Sequence, residues 1–580
     1  MPDDAALNPA EQAAQEAQGR VLQCIDSRTS FLLEAGAGAG KTHSLINALR
    51  YVIDKHGVQL RRRHQRVACI TYTNVANDEI KSRTDGHPIV RSDTIHSFCW
   101  SLIKDFQPQL RAAVPTLKHW PERLADVGGI GTRAVEYGLG YPKVEDTQVL
   151  LYHDDVLALT IELMKLPKFR TLFVERFPIL LIDEYQDTDA SFIDAMKVHF
   201  LDSGSGPLLG LFGDHWQKIY GDGCGKVDHS RLVSIGKSAN FRSVPAVVEV
   251  LNRMRPELPQ AVTNPDAQGS VAVYHTNLWA GARRTGQHWA GDLPPEESHR
   301  CLDLLMSRLR TEGWDFSPEK TKILMLTHKV LAKEQGYNNL ANVFPFNDMY
   351  IKKDDAHIAF FVDTLEPICS AFEKGQYGEM FAVLGGSPAI HSHADKVEWT
   401  ESMNALLALR ATGSIGAVLD HLRRAKRPQL PDAVERKERE LERMTADTPA
   451  DEVTVVERLR SLREVSYREV CALDKFIDGH TPFATKHGVK GAEFENVIVV
   501  LGRGWNHYDF NQMLEWAAAP STIPADKQET FERNRNLFYV VCSRPKTRLA
   551  LLFTQRLSSA ALRTLERWFG SGAIHAAPLS

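Results

Sequence analysis

Two short runs in this 580-residue chain have the residue types and spacing for phosphoryl-transfer chemistry. The first is Ala35-Gly36-Ala37-Gly38-Ala39-Gly40-Lys41-Thr42. Small residues there let backbone N–H groups close around phosphate oxygens, Lys41 reaches for β- and γ-phosphates, and Thr42 offers a hydroxyl to Mg²⁺. The strict G-x-x-x-x-G-K-[ST] pattern is missed only at its first position, where Ala35 stands. The second run, Ile179-Leu180-Leu181-Ile182-Asp183-Glu184, is an apolar strand ending in two carboxylates. Asp183 is placed to bind the Mg²⁺ water shell and Glu184 to polarise an attacking water. Taken alone, each run has a plainer reading, a small-residue turn or a helix cap; together they describe one nucleotide site.

Such a site needs strands that end beside helix N-termini. Apolar runs at 30–33, 67–70, 179–182, 208–212, 271–274, 322–326, 497–501 and 549–553 read as buried parallel strands alternating with helical patterns, the mark of an α/β chain. They fall into two groups, so two parallel-sheet domains are expected, one from 1–100 with 171–235 and one from 236–345 with 475–580. Residues 101–170 and 346–474 have few strand signals, and the latter carries VERKERELERM and VVERLRSLREV; both are expected to be mostly helical insertions. The length exceeds what one core supports, and 43% hydrophobic with 24% charged residues is ordinary globular composition. A net charge of −4 excludes a global basic field, so any nucleic-acid contact must come from a local groove. Eight cysteines without a C-x-x-C pair point to reduced thiols, a cytoplasmic chain and no structural zinc. No export signal or membrane span is read.

Further motifs occur in an order that resembles the UvrD/Rep branch of superfamily 1 helicases. Thr71-Tyr72-Thr73-Asn74 with Ala76 and Glu79 is similar to T-F-T-N-K-A-A-x-E-M, and Thr94-Ile95-His96-Ser97-Phe98 to T-x-H-S-F. Asp183-Glu184-Tyr185-Gln186-Asp187 is similar to D-E-F-Q-D, Gly213-Asp214 with Gln217 and Ile219-Tyr220 to G-D-x-x-Q-S-I-Y, and Asn240-Phe241-Arg242-Ser243 to N-Y-R-S. His487 to Phe494 is similar to H-S-A-K-G-L-E-F, and Leu537-Phe538-Tyr539-Val540 with Ser543-Arg544 to L-x-Y-V-x-x-T-R.

The resemblance implies two RecA-like domains and an ATP- and Mg²⁺-dependent motor on single-stranded and tailed duplex DNA, moving 3′ to 5′. It implies that Gln217 contacts the γ-phosphate or attacking water, and that Arg242 and Arg544 act as arginine fingers from the second domain. Ala37, Gly38, Ala39, Gly40, Lys41, Thr42 and His43 would line the nucleotide, with Phe241 on the adenine, Glu493 on the ribose and Gln12 reading the adenine edge. Tyr72, Phe98 and Tyr220 would stack on bases, while Thr71, Asn74, His96, Ser97, Thr485 and His487 would bond phosphates.

There are departures. Gly221-Asp222-Gly223-Cys224-Gly225 stands where the family has R-W-R-G, with His215-Trp216 as a candidate substitute, and Arg533-Asn534-Arg535-Asn536 stands where it has E-E-R-R. The chain stops 36 residues after Arg544 (580 minus 544), too few for an appended nuclease domain. The basic clusters 61–63 and Arg423, Arg424, Lys426 and Arg427 are candidates for duplex contact, or simply solvated faces. One rival reading is a DNA-responsive regulatory ATPase that serves a partner nuclease of the overcoming-lysogenization type in phage defence. The other, a P-loop kinase or transporter ATPase, leaves the DNA-facing motifs without a role.

Overall fold

The structure is a computed structural model, and it describes the chain except residues 1–6, 139–141, 220, 222, 287–288, 326–331, 333, 385–389, 391, 444–449, 479–482, 486–491, 504–507 and 579–580. The first sheet comprises β1 (Phe31–Ala35), β2 (Val67–Thr71), β3 (Val90–Thr94), β4 (Ile179–Asp183), β5 (Leu208–Gly213) and β6 (Val233–Lys237) in the order β3-β2-β4-β5-β1-β6. All its pairings are parallel. Side chains alternate between its two faces. Leu32, Ala68, Ile70, Leu180, Ile182, Leu209 and Leu211 enter one core, while Phe31, Leu33, Val67, Cys69, Leu181 and Phe212 enter the other. Both faces are therefore covered, which explains why the central strands read as unbroken apolar runs.

The second sheet comprises β7 (Ser270–His275), β8 (Thr321–Met325), β9 (Phe483–Thr485), β10 (Phe494–Leu501), β11 (Pro545–Phe553) and β12 (Ile574–Ala576) in the order β9-β8-β10-β11-β7-β12. Strand β8 pairs in parallel with β9 and β10. The fold class is thus α/β with parallel sheets, consistent with RecA-like domains.

Two compact units divide the chain: one of 1–272, 510–549 and 558–574, the other of 273–509, 550–557 and 575–580. This differs from the sequence-based division, which assigns 236–272, 510–549 and 558–574 to the second domain. The reason is local packing: Asn240, Gln260, Asn536 and Tyr539 lie directly against the phosphate loop or the segment after β5.

The 101–170 insertion is not helical throughout, because a small sheet of Ala134–Tyr137, Lys143–Val144 and Gln148–Leu151 sits within it. The 346–474 insertion is helical among the described residues and has its own core around Phe361, Leu365, Met403, Leu419 and Tyr467. Its basic cluster is largely spoken for: Arg423 pairs with Glu435 and Glu442, and Arg427 with Glu398. No helix among the described residues is long and apolar enough to cross a membrane.

Candidate nucleotide-binding and hydrolysis site

The loop between β1 and the helix Lys41–Arg62 has its tight bends at Gly38 (φ 77°) and Gly40 (φ 73°), conformations that L side chains avoid. Gly38 is doubly required, because a Cβ there would meet Asn240 Oδ1 at 2.8 Å and Arg242 Cβ at 2.9 Å. The Ala37 carbonyl accepts from Asn240 Nδ2 and Gln260 Nε2, both at 3.1 Å, and the Gly38 carbonyl from the Phe241 N–H at 2.9 Å. With these carbonyls held, the N–H groups at the helix start remain for an anion.

Strand β4 delivers Asp183 and Glu184. Asp183 is 4% exposed, and its carboxyl is pushed up to about 7 by burial and the neighbouring Glu184 charge, against the pull of Lys41. Glu184 follows in a left-handed conformation (φ 48°), a strained choice for a side chain and one that turns the chain out of the strand. Its carboxylate sits 3.4 Å from Lys41 Nζ and accepts from Gln186 Nε2 at 2.6 Å. Gln186 is fully buried, and its Oε1 accepts from the Asp214 N–H at 3.0 Å, which joins the acid pair to the turn after β5.

That turn carries Gln217, whose Nε2 donates to Asp214 Oδ2 at 2.8 Å. Asp214 Oδ1 in turn accepts from Arg255 Nη1 at 2.6 Å, and Arg255 Nη2 donates to Glu34 Oε1 at 3.0 Å. Glu34, Asp214 and His215 have a metal-like clustering, but the Arg255 guanidinium already lies between the two carboxylates. Asn536 Nδ2 braces the far side of the turn by donating to the carbonyls of His215 (3.0 Å) and Lys218 (3.2 Å).

Arg544 is 1% exposed and donates from Nε to Val540 O and from Nη2 to Ser543 Oγ, both at 2.9 Å. Burial, and then Arg242, lower its pKa to about 9, while Glu184 pulls the other way. Arg242 Nη1 donates to Ser543 O at 3.1 Å. Both arginines lie in the same compact unit as the phosphate loop. Thr42 and Asp183 supply the hard oxygen donors that suit Mg²⁺, and a buried carboxyl beside a second acid fits a cation.

The remaining sequence candidates divide. Phe241 is 45% exposed beside the loop, Tyr72 is 46% exposed, and Asn74, Ser97, His43 and Glu493 are exposed. His96 is half-buried against the His153 ring at 4.7 Å. Phe98 does not line a DNA path: it is fully buried, edge-on to Phe177 at 5.3 Å and Phe173 at 6.2 Å. Thr71 is also buried, its hydroxyl donating to Thr73 O. Gln12 lies exposed on the helix Pro9–Asp26, whereas Gln18 on that helix has both amide atoms buried without a partner. Tyr220, His487 and the Thr485 side chain lie outside the described residues.

The departures acquire physical reasons. Gly223 approaches the Asp183–Asp187 segment so closely that a Cβ would meet Gln186 O at 2.3 Å, Cys224 N–H donates to Thr188 O and Gly225 N–H to Gln186 O, so 223–225 are folded inward. Trp216 does not replace the missing aromatic, because it is 7% exposed, with the Arg535 guanidinium 4.0 Å and the Arg255 guanidinium 5.4 Å from its ring centroid.

Comparison with known proteins agrees with this geometry. Residues 14–124 and 133–222 match the UvrD/REP helicase N-terminal domain. The chain is similar to Gabija protein GajB of Bacillus cereus (strain HuB5-5), at 24% identity over 93% of this chain and 95% of that one. It is also similar to ATP-dependent DNA helicase Rep of Escherichia coli (strain K12), at 27% identity over 33% of this chain and 34% of Rep. The likeness to ATP-dependent DNA helicase PcrA of Staphylococcus aureus (strain Mu50 / ATCC 700699) is 25% over 39% of this chain and 37% of PcrA.

Proposed function

We propose that the chain, whose residues 14–124 and 133–222 match the UvrD/REP helicase N-terminal domain, is a UvrD-like helicase that hydrolyses ATP with Mg²⁺ to move along single-stranded DNA. The observation that carries this reading is the linked set Lys41–Glu184–Gln186–Asp214–Gln217, which joins a phosphate ligand, a water-polarising acid and a γ-phosphate contact through one ion pair and three hydrogen bonds.

ATP entering the loop competes for Lys41, and the Glu184 carboxylate, still held by Gln186, is released to polarise water. Gln217 is pre-aimed by Asp214. Thr42 and Asp183 would hold Mg²⁺, which would supply charge neutralisation on the phosphates. Arg242 and Arg544 balance the charge that builds on the transferring phosphoryl group, a type of contact worth roughly 10³ to 10⁵ in rate. Phe241 stacks on the adenine, and Gln18, not Gln12, reads its edge, since only Gln18 has a buried amide in want of partners. Tyr72, Asn74, His96 and Ser97 contribute to the DNA path, with 3′ to 5′ movement following from the resemblance.

The likeness to Gabija protein GajB over 93% of the chain favours a second reading, a DNA-responsive ATPase in a defence system that works with a partner nuclease and unwinds little. The run Gly221-Asp222-Gly223-Cys224-Gly225, whose residue types offer no base-stacking side chain, fits it. Unwinding of 3′-tailed and 5′-tailed duplexes beside ATP turnover separates the two. Turnover coupled to opening of the 3′-tailed duplex supports the helicase; DNA-stimulated turnover without opening supports the regulator.

A further inference from the structure

Lys237 ends β6 and lies opposite Ala35 of β1, level with the start of the phosphate loop. It belongs to none of the helicase motifs. Its side chain is 2% exposed, and Nζ donates to the Gly40 carbonyl at 3.1 Å and to Ser44 Oγ at 2.9 Å. A Cβ on Gly40 would lie 3.6 Å from this ammonium.

No carboxylate pairs with it among the described residues; its remaining neighbour is the ring of Phe241, with the ammonium 5.8 Å from the centroid. Burial alone lowers its pKa, to about 8. His43, on the loop's own helix, has its pKa lowered by burial and then by Lys237, Arg83 and Arg50.

Proteins rarely bury an ammonium without an anion, because desolvation is then uncompensated. Here the uncompensated charge sits against the backbone of an anion-binding loop. We propose that Lys237 is a second nucleotide-binding cation of this site, whose counter-charge is the polyphosphate of the bound nucleotide. This rests on the reading of the loop as a nucleotide site and extends it. Lys41 contacts the phosphates from the helix start, and Lys237 adds positive potential from the strand side while holding Gly40 and Ser44 in place.

The test is calorimetric titration of the full chain with ATP, ADP and AMP in Mg²⁺. Two variants are compared with wild type: Lys237→Met, and Lys237→Gln, which keeps donors for Gly40 O and Ser44 Oγ while removing the charge. A Coulombic role predicts losses that grow with phosphate number, roughly tenfold or more for ATP, less for ADP and least for AMP, in both variants. Wild-type ATP affinity in Lys237→Gln, or equal losses for all three nucleotides, would overturn the inference and leave Lys237 as a brace for the loop. Should Lys237→Met fail to fold, Lys237→Gln alone decides. ATP binding abolished by Lys41→Ala but unaltered by Lys237→Gln removes this inference only; no ATP binding by the wild-type chain removes the site reading with it.

Discussion

The ammonium of Lys41 and the carboxylate of Glu184 lie 3.4 Å apart, so the groups proposed as phosphate ligand and water-polarising acid neutralise each other across the loop. On the proposed reading, a nucleotide must break this pair to be hydrolysed. Glu184→Gln should therefore bind ATP at least as tightly as wild type while turnover falls by roughly 10²- to 10⁴-fold. Lys41→Ala should lose both. Equilibrium binding and steady-state turnover check this; near wild-type hydrolysis in Glu184→Gln would remove Glu184 from the chemistry.

The Asn536 amide spans the carbonyls on both ends of the turn that carries Gln217. Two neutral hydrogen bonds contribute about 1–3 kcal/mol net. Asn536→Ala should lower kcat by roughly 5- to 100-fold while ATP affinity stays within about threefold, the pattern of a group that matters in the transition state. Parallel losses of affinity and kcat, with a lower melting temperature, would mean general loosening instead.

Tyr72 and Phe98 separate two aromatics that the motifs treat alike. Tyr72 is 46% exposed, and Tyr72→Ala should weaken binding to single-stranded DNA by the roughly 1–3 kcal/mol of one stacked base, with unfolding unchanged. Phe98 is fully buried, and Phe98→Ala should instead cost about 3–5 kcal/mol of stability. DNA titrations and denaturant unfolding distinguish them, and the reverse pattern would contradict the placement of both.

Glu34 gives the nucleotide-site unit a defined acid limit. Burial works to raise its pKa, but hydrogen bonding and charge from His215 and Arg255 outweigh burial and lower it from 4.5 to about 2. A depressed acid contributes stability fully above its unfolded pKa, and that contribution is lost as pH falls through the folded value. Melting temperature should thus decline between about pH 5 and pH 2 in wild type, and less steeply in Glu34→Gln. Equal slopes in the two proteins would show that the Glu34–Arg255 pair is not a source of acid sensitivity.

The central strands were legible because burial on both faces leaves an unbroken apolar run, as in Ile179–Asp183. The edge strands were not. Val90–Thr94 (VRSDT) and Val233–Lys237 (VSIGK) stand at the two ends of the first sheet, where half-exposed positions admit polar residues. The strands at 134–151 are two to four residues long, too short to leave a period. At the site, Lys41, Asp183 and Glu184 announced themselves through contiguous motifs. Arg255, Gln260 and Asn536 did not, since their roles come from contacts 41 to 321 residues away in sequence. The misplacement of Trp216 and Phe98 has the same origin: an aromatic in a motif has identical letters whether it faces a base or a core.

The proposed nucleotide site should answer to DNA, and the direct test is ATP turnover in Mg²⁺ with and without a mixed-sequence single-stranded oligonucleotide. Turnover should be slow alone, rise by roughly an order of magnitude or more with the strand, and be absent in Glu184→Gln. Turnover that is unaffected by single-stranded DNA, or that survives in Glu184→Gln, would contradict it.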